Sequence, residues 1–116
     1  MRRATESWGG QYAILGGDWS PFFHDAIDLL GMETLCLRMA DEPEFVDALL
    51  DHIVDFYAAT NQKLFDEAAD LLDIFFIGND FGSQTGPLIG PALFGRFILP
   101  HMQRLINLGH DYGLPV

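Results

Sequence analysis

The stretch "IFFIGNDFGSQTGPLIGPALFGRFILPH", residues 74–101, begins as an apolar run, stops at Asn79 and Asp80, crosses a Gly-rich loop and enters a segment carrying Pro100. Every position of "IFFI" is apolar, as expected of a strand covered on both faces in a parallel sheet, so a strand is predicted over 73–78. The following helix has Gly90 as its cap, Pro91 in its first turn and Gly113 just past its end. Pro100 lacks an N–H and clashes one turn back, which predicts a kink or a split in that helix.

N-terminal to this stretch, "YAILGG" (12–17) reads as a buried strand running into a tight turn. "SPFFHDAIDLLG" (20–31) offers Ser20 as N-cap, Pro21 at the first helical position and Gly31 past the end. "METLCLRMA" (32–40) adds a helical segment ending near Asp41. Asp41 and Glu44 resemble a capping box that opens a long helix with apolar residues at 45, 46, 49, 50, 53, 54 and 57. "LPV" (114–116) reads as the start of a third strand. The order strand, helices, strand, helix, strand is a βαβαβ pattern, which implies a parallel sheet with right-handed crossovers.

At 116 residues with 49% hydrophobic content, the sequence has room for one folded domain over 1–116 and is too apolar for a disordered tail. Seventeen acidic against six basic residues give a net charge of −11, which repels phosphate backbones and anionic lipid, so no nucleic-acid or membrane partner is expected. The N-terminal "MRRATESWGG" is followed by an apolar run too short for a signal peptide or a membrane span. Cys36 has no disulfide partner, and the cytoplasm is the default compartment. "GGDWS" and "GNDFG" lack the spacing of phosphate-binding loops. Phe22, Phe23, Phe45, Phe56, Phe94 and Phe97 fall at helical spacings and read as core. His24, His52, His101 and His110 show no close ligand spacing and read mostly as surface or supporting groups.

Residues 78–116, together with "GMETLCLRMADEPEFVDALLDHIVDF" (31–56), resemble the uroporphyrinogen decarboxylase superfamily, in particular its cobamide-dependent methyltransferase-like branch. Members carry a similar D-F-G-S/T-Q stretch, an S-P-x-x-F-x-x-F-x-x-P helix and a G-x-x-V strand; Gly90 departs from the usual Ser or Asp cap. The resemblance implies a (β/α)8 TIM barrel of which this chain supplies about three parallel strands with outer helices, as a fragment completed by another piece or by homo-oligomer formation through open sheet edges. It places chemistry at the C-terminal ends of the strands. Asp80 is then the candidate catalytic carboxylate, Asn79, Gln84 and Asp18 are candidate substrate contacts, and Ser83 shares their loop.

A carboxylate there suits pyrrole N–H groups in a tetrapyrrole decarboxylase. In the methyltransferase branch, a methyl group from a corrinoid, or from a corrinoid protein, passes to a zinc-activated thiol, and the zinc ligands fall beyond Val116. No cofactor is therefore expected on this chain itself. Against the enzyme readings stand plain structural ones: Asp80 as an Asx-turn, Asp18 as a group orienting the next helix, and the whole chain as an inactive folding or assembly unit.

Overall fold

The computed structural model describes residues 10–116; Arg2 and Arg3, which enter the reading of the N-terminal leader, lie outside the described residues. Strand β1 (Leu15–Asp18) is followed by helices α1 (Phe23–Leu30), α2 (Met32–Asp41) and α3 (Pro43–Ala68). A 3-10 turn (Ala69–Leu71) leads into β2 (Ile74–Ile77), and the chain closes with α4 (Pro91–Leu93), a π-helical segment (Phe94–Ile98) and α5 (Leu99–Asp111). β1 and β2 pair in parallel, with Leu15 opposite Ile74 and Asp18 opposite Ile77. The parallel sheet and its helical crossover are those of part of a (β/α)8 barrel.

Period-2 alternation divides the sheet into unlike faces. Gly16 and Phe75 face the helices and are buried, Phe75 against Phe65 at 4.9 Å between ring centres. Gly17 and Phe76 face the other way, and Phe76 is 36% exposed. The expected cover on both faces of "IFFI" is thus present on one only. The strands approach each other closely at Gly17, where a Cβ would lie 1.9 Å from the Phe76 carbonyl oxygen and where φ is +133°. Only glycine satisfies both demands. On the covered face, Gly109 of α5 presses on the Phe75 ring, 2.7 Å from where its Cβ would stand.

Several local expectations are corrected. Ser20 and Pro21 do not cap α1: the Phe23 N–H donates to the Pro21 carbonyl at 2.7 Å, and Phe22 sits at φ 46°, ψ −58°. That is a γ-turn of the rare, strained kind, and the helix starts only after it. The capping box at Asp41 and Glu44 is not formed, because α2 runs through Asp41, and Pro43 sets the first turn of α3 without a side-chain cap. Residues 114–116 do not form a strand; Phe75 N–H donates to the Pro115 carbonyl at 2.8 Å, a single ladder bond beside β2. Among the described residues the sheet therefore has two strands, and the third expected at 114–116 is not formed.

Phe45 and Phe56 are 41% and 65% exposed and are not core, Phe45 lying instead under the Arg38 guanidinium at 4.6 Å. The remaining phenylalanines named above join Leu35, Leu50, Val54 and Leu105 in one main cluster, Phe94 at its half-buried margin. Pro100 is absorbed by the π segment before it, whose i→i+5 bonding shifts the ladder, so that Pro100 enters the first turn of α5 where its missing N–H is not needed.

Among the described residues no helix is long and apolar enough to cross a membrane. The close approach at Gly17 generates a prediction. Gly17→Ala should lower unfolding stability by about 2 kcal/mol or more in a denaturant titration, from backbone strain plus the clash with Phe76. Gly95→Ala, exposed in the helix with open space around it, should be neutral or stabilising by up to roughly 1 kcal/mol.

Candidate functional site

The C-terminal ends of β1 and β2 lead into residues 18–24 and 78–80, which face one another across a pocket of about 320 Å³ lined by Trp19, Ser20, His24, Phe76, Gly78, Asn79 and Asp80. The close fit is a consequence of the sheet: Gly78 N–H donates to the Asp18 carbonyl at 2.9 Å, and a Cβ at Gly78 would lie 2.8 Å from the Trp19 carbonyl oxygen. The exposed Trp19 ring stacks on Phe76 at 5.6 Å, forming an aromatic floor on the open face of the sheet.

Asn79 bridges the two segments. Its Nδ2 donates to the Met102 sulfur at 3.8 Å, and its Oδ1 lies 3.5 Å from His24 Nδ1. His24 stands in the first turn of α1, directly after the strained γ-turn at Phe22, which is fully buried and packed on the His101 ring at 5.8 Å. Asp80 is exposed, and its Oδ1 accepts the Gly82 N–H at 3.2 Å, an Asx-turn that starts the loop. That loop closes on itself through Ser83, whose Oγ donates to the Gly86 carbonyl at 2.9 Å. Gln84 is exposed on the loop and does not line the pocket.

Asp18 points elsewhere. It shares the covered face of the sheet with Gly16, and its Oδ2 accepts from Asn61 Nδ2 at 2.6 Å; the same amide nitrogen donates to the Tyr57 carbonyl at 3.0 Å. Asn61, 2% exposed, sits on the apolar stripe of α3 between Val54 and Phe65. The Tyr57 hydroxyl is bonded to Asp25, whose Oδ2 is buried without a hydrogen-bond partner among the described residues. Burial, the Asp25 bond and the charges of Asp25 and Asp18 push the Tyr57 hydroxyl up to about 12. The structure thus brings Asn79 and Asp80 together at the mouth, ties Asp18 into the helix layer, and adds His24, which the sequence reading placed among the supporting histidines. Asn61 was missed as well; a polar residue on an otherwise apolar stripe was the available signal.

Among the described residues no group of three His, Cys, Asp or Glu side chains comes together as metal ligands. The chain's described arginines are engaged on the helices: Arg38 with Glu42 at 3.1 Å, Arg96 with Asp47 at 3.1 Å and Arg104 with Asp55 at 2.7 Å.

The Tyr57 cluster makes a pH prediction. Its raised pKa favours the neutral hydroxyl in the folded chain, so the stabilisation is fully present below the ordinary value of 10.0 and is lost as pH rises towards about 12. Tyr57→Phe should flatten the fall in unfolding stability over that window, as followed by circular dichroism.

The family model described as uroporphyrinogen decarboxylase (URO-D) matches residues 1–116. No curated protein and no solved structure matches the chain. With a family-model match over its whole length, and with a parallel strand pair joined by a helical crossover, the chain belongs to the uroporphyrinogen decarboxylase family.

Proposed function

We propose that this chain forms one wall of the ligand site of a barrel enzyme of the methyl-transferring kind, and that the ligand at the mouth is a corrinoid. The carrying observation is the character of the pocket: an exposed Trp19–Phe76 stack beside an amide, an imidazole and a carboxylate. A decarboxylase substrate bristles with carboxylates and calls for cationic side chains, whereas among the described residues the charged group lining this mouth is the acid Asp80, and the described arginines Arg38, Arg96 and Arg104 are paired with acids. A corrin, with its apolar rim and neutral amide arms, suits an aromatic surface flanked by Asn79 and Asp80. Bound, a methylated corrinoid supplies a transferable methyl group. The chain's own residues offer a stacking surface and hydrogen bonds to the amide arms.

Titration of the chain with methylcobalamin and, separately, with uroporphyrin, followed by Trp19 quenching and by the ligand's absorption bands, tests the reading. Methylcobalamin should bind and uroporphyrin should not. Trp19→Ala should weaken cobalamin binding roughly tenfold, the equivalent of about 1.4 kcal/mol of stacking. Asp80→Asn keeps the acceptor for the Gly82 N–H, so it should weaken binding without changing the melting temperature. Tighter binding of uroporphyrin would move the assignment to tetrapyrrole decarboxylation, and binding of neither would leave the chain as a folding or assembly unit.

A further inference from the structure

We infer that His101 is a pH-sensitive latch for the mouth: with a neutral ring it keeps residues 18–24 seated against α5, and with a charged ring it turns to Asp51 and lets that segment go. The latch stands on geometry; its effect on a ligand rests on the corrinoid reading. Neighbouring residues of α5 hold the two walls of the pocket. The His101 ring packs on Phe22 at 5.8 Å, in the segment after β1, and the Met102 sulfur accepts from Asn79 Nδ2 at 3.8 Å, in the segment after β2. Phe22 is fully buried at φ 46°, ψ −58°, a conformation that persists only where its surroundings enforce it. His101, 8% exposed, is part of those surroundings.

The ring is also the middle member of a row of acid–base contacts that α3 makes with the π segment and α5. Asp47, Asp51 and Asp55, four apart on α3, meet Arg96 at 3.1 Å, His101 Nδ1 at 3.9 Å and Arg104 at 2.7 Å. The bases are spaced five and then three, because the wider turn of the π segment (Phe94–Ile98) adds a residue between Arg96 and His101. Arginine keeps its charge at every working pH and histidine does not, so the middle contact is the one that pH can switch.

Burial holds the His101 imidazole below its ordinary 6.5 and outweighs the charges around it. Of those charges, Asp51 pulls the ring toward the imidazolium, Arg104 on its own helix opposes it, and Asp47 and Asp55 side with Asp51; from α1 the ring meets the uncharged Phe22. A group whose folded-state pKa is lowered in this way favours the fold above 6.5, and that contribution is lost as pH falls below it. At 3.9 Å, Asp51 makes no hydrogen bond to the ring in place, so a charge there is buried without one from its nearest acid. Asp51 is 68% exposed, and swinging out to it satisfies the charged ring while removing the support from Phe22.

NMR of the ligand-free, isotopically labelled chain, titrated from about pH 8 to about pH 5, reads the latch directly. The backbone amides of Phe22 and Phe23 and the Trp19 indole should move with the same midpoint as the His101 ring. His101→Gln should remove that movement, and any change it leaves comes from other groups such as His24. Asp51→Asn, at an exposed position, should keep the fold and shift the common midpoint to lower pH, since the Asp51 charge favours the imidazolium. A His101 ring that does not titrate in this range, or that titrates while Phe22 and Trp19 stay still, would overturn the latch. So would a midpoint that Asp51→Asn leaves unchanged. Methylcobalamin binding then tests the consequence: affinity should fall about tenfold once about nine chains in ten are open, and should not fall in His101→Gln. Affinity that ignores the transition would overturn control of the site by the latch. No binding at any pH, with the coupled midpoints observed, would overturn the corrinoid reading and leave the latch standing.

Discussion

The close parallel pairing of β1 and β2, with Gly17 lying against the Phe76 carbonyl, is the constraint on which the rest of the structure depends. A side chain at that point would separate the strands. Because they meet, the Gly78 N–H reaches the Asp18 carbonyl and the two chain segments leaving the sheet enter the same small space. Residues 61 positions apart in the chain, Trp19 and Asp80, thereby line one pocket. The helices serve the same end: Gly109 lets α5 lie on Phe75, which brings Met102 of that helix to Asn79.

The sheet separates two kinds of polar group that look alike in the sequence. Asp18 and Asp80 both follow a strand, yet Asp18 shares the covered face with Gly16 and is consumed by Asn61, while Asp80 lies beyond β2 in an exposed Asx-turn at the pocket. The parity of β1 turns Asp18 toward the helix layer, whereas Asp80, past the end of β2, is left exposed by its turn. Tyr57 belongs with Asp18, since its raised pKa comes from being enclosed beside Asp25 rather than from any opening to the mouth.

Much of this was legible from residues alone. Four consecutive apolar residues at Ile74–Ile77, Gly31 ending α1, Gly90 before α4 and the apolar stripe of α3 each carry a local signal that tertiary structure did not override. What failed were readings in which a good local candidate lost to a long-range demand. Ser20 and Pro21 look like a helix start, but burial of Phe22 against His101 holds the chain in a γ-turn first. Asp41 looks like a cap, but α2 continues through it and Pro43 starts the next helix. His24 could not be singled out because its partner, Asn79, is 55 residues away, and no spacing rule links them. Phe56 keeps the helical spacing of a core residue, yet is 65% exposed.

We propose that the segments after β1 and β2 make one ligand site. Chemical-shift mapping of the isotopically labelled chain with methylcobalamin tests it most directly. The Trp19 indole, the His24 ring and the backbone amides of Gly78 to Asp80 should shift together, with one common affinity. Shifts confined to one of the two segments, or found only on the outer surface of α3 and α5, would contradict it.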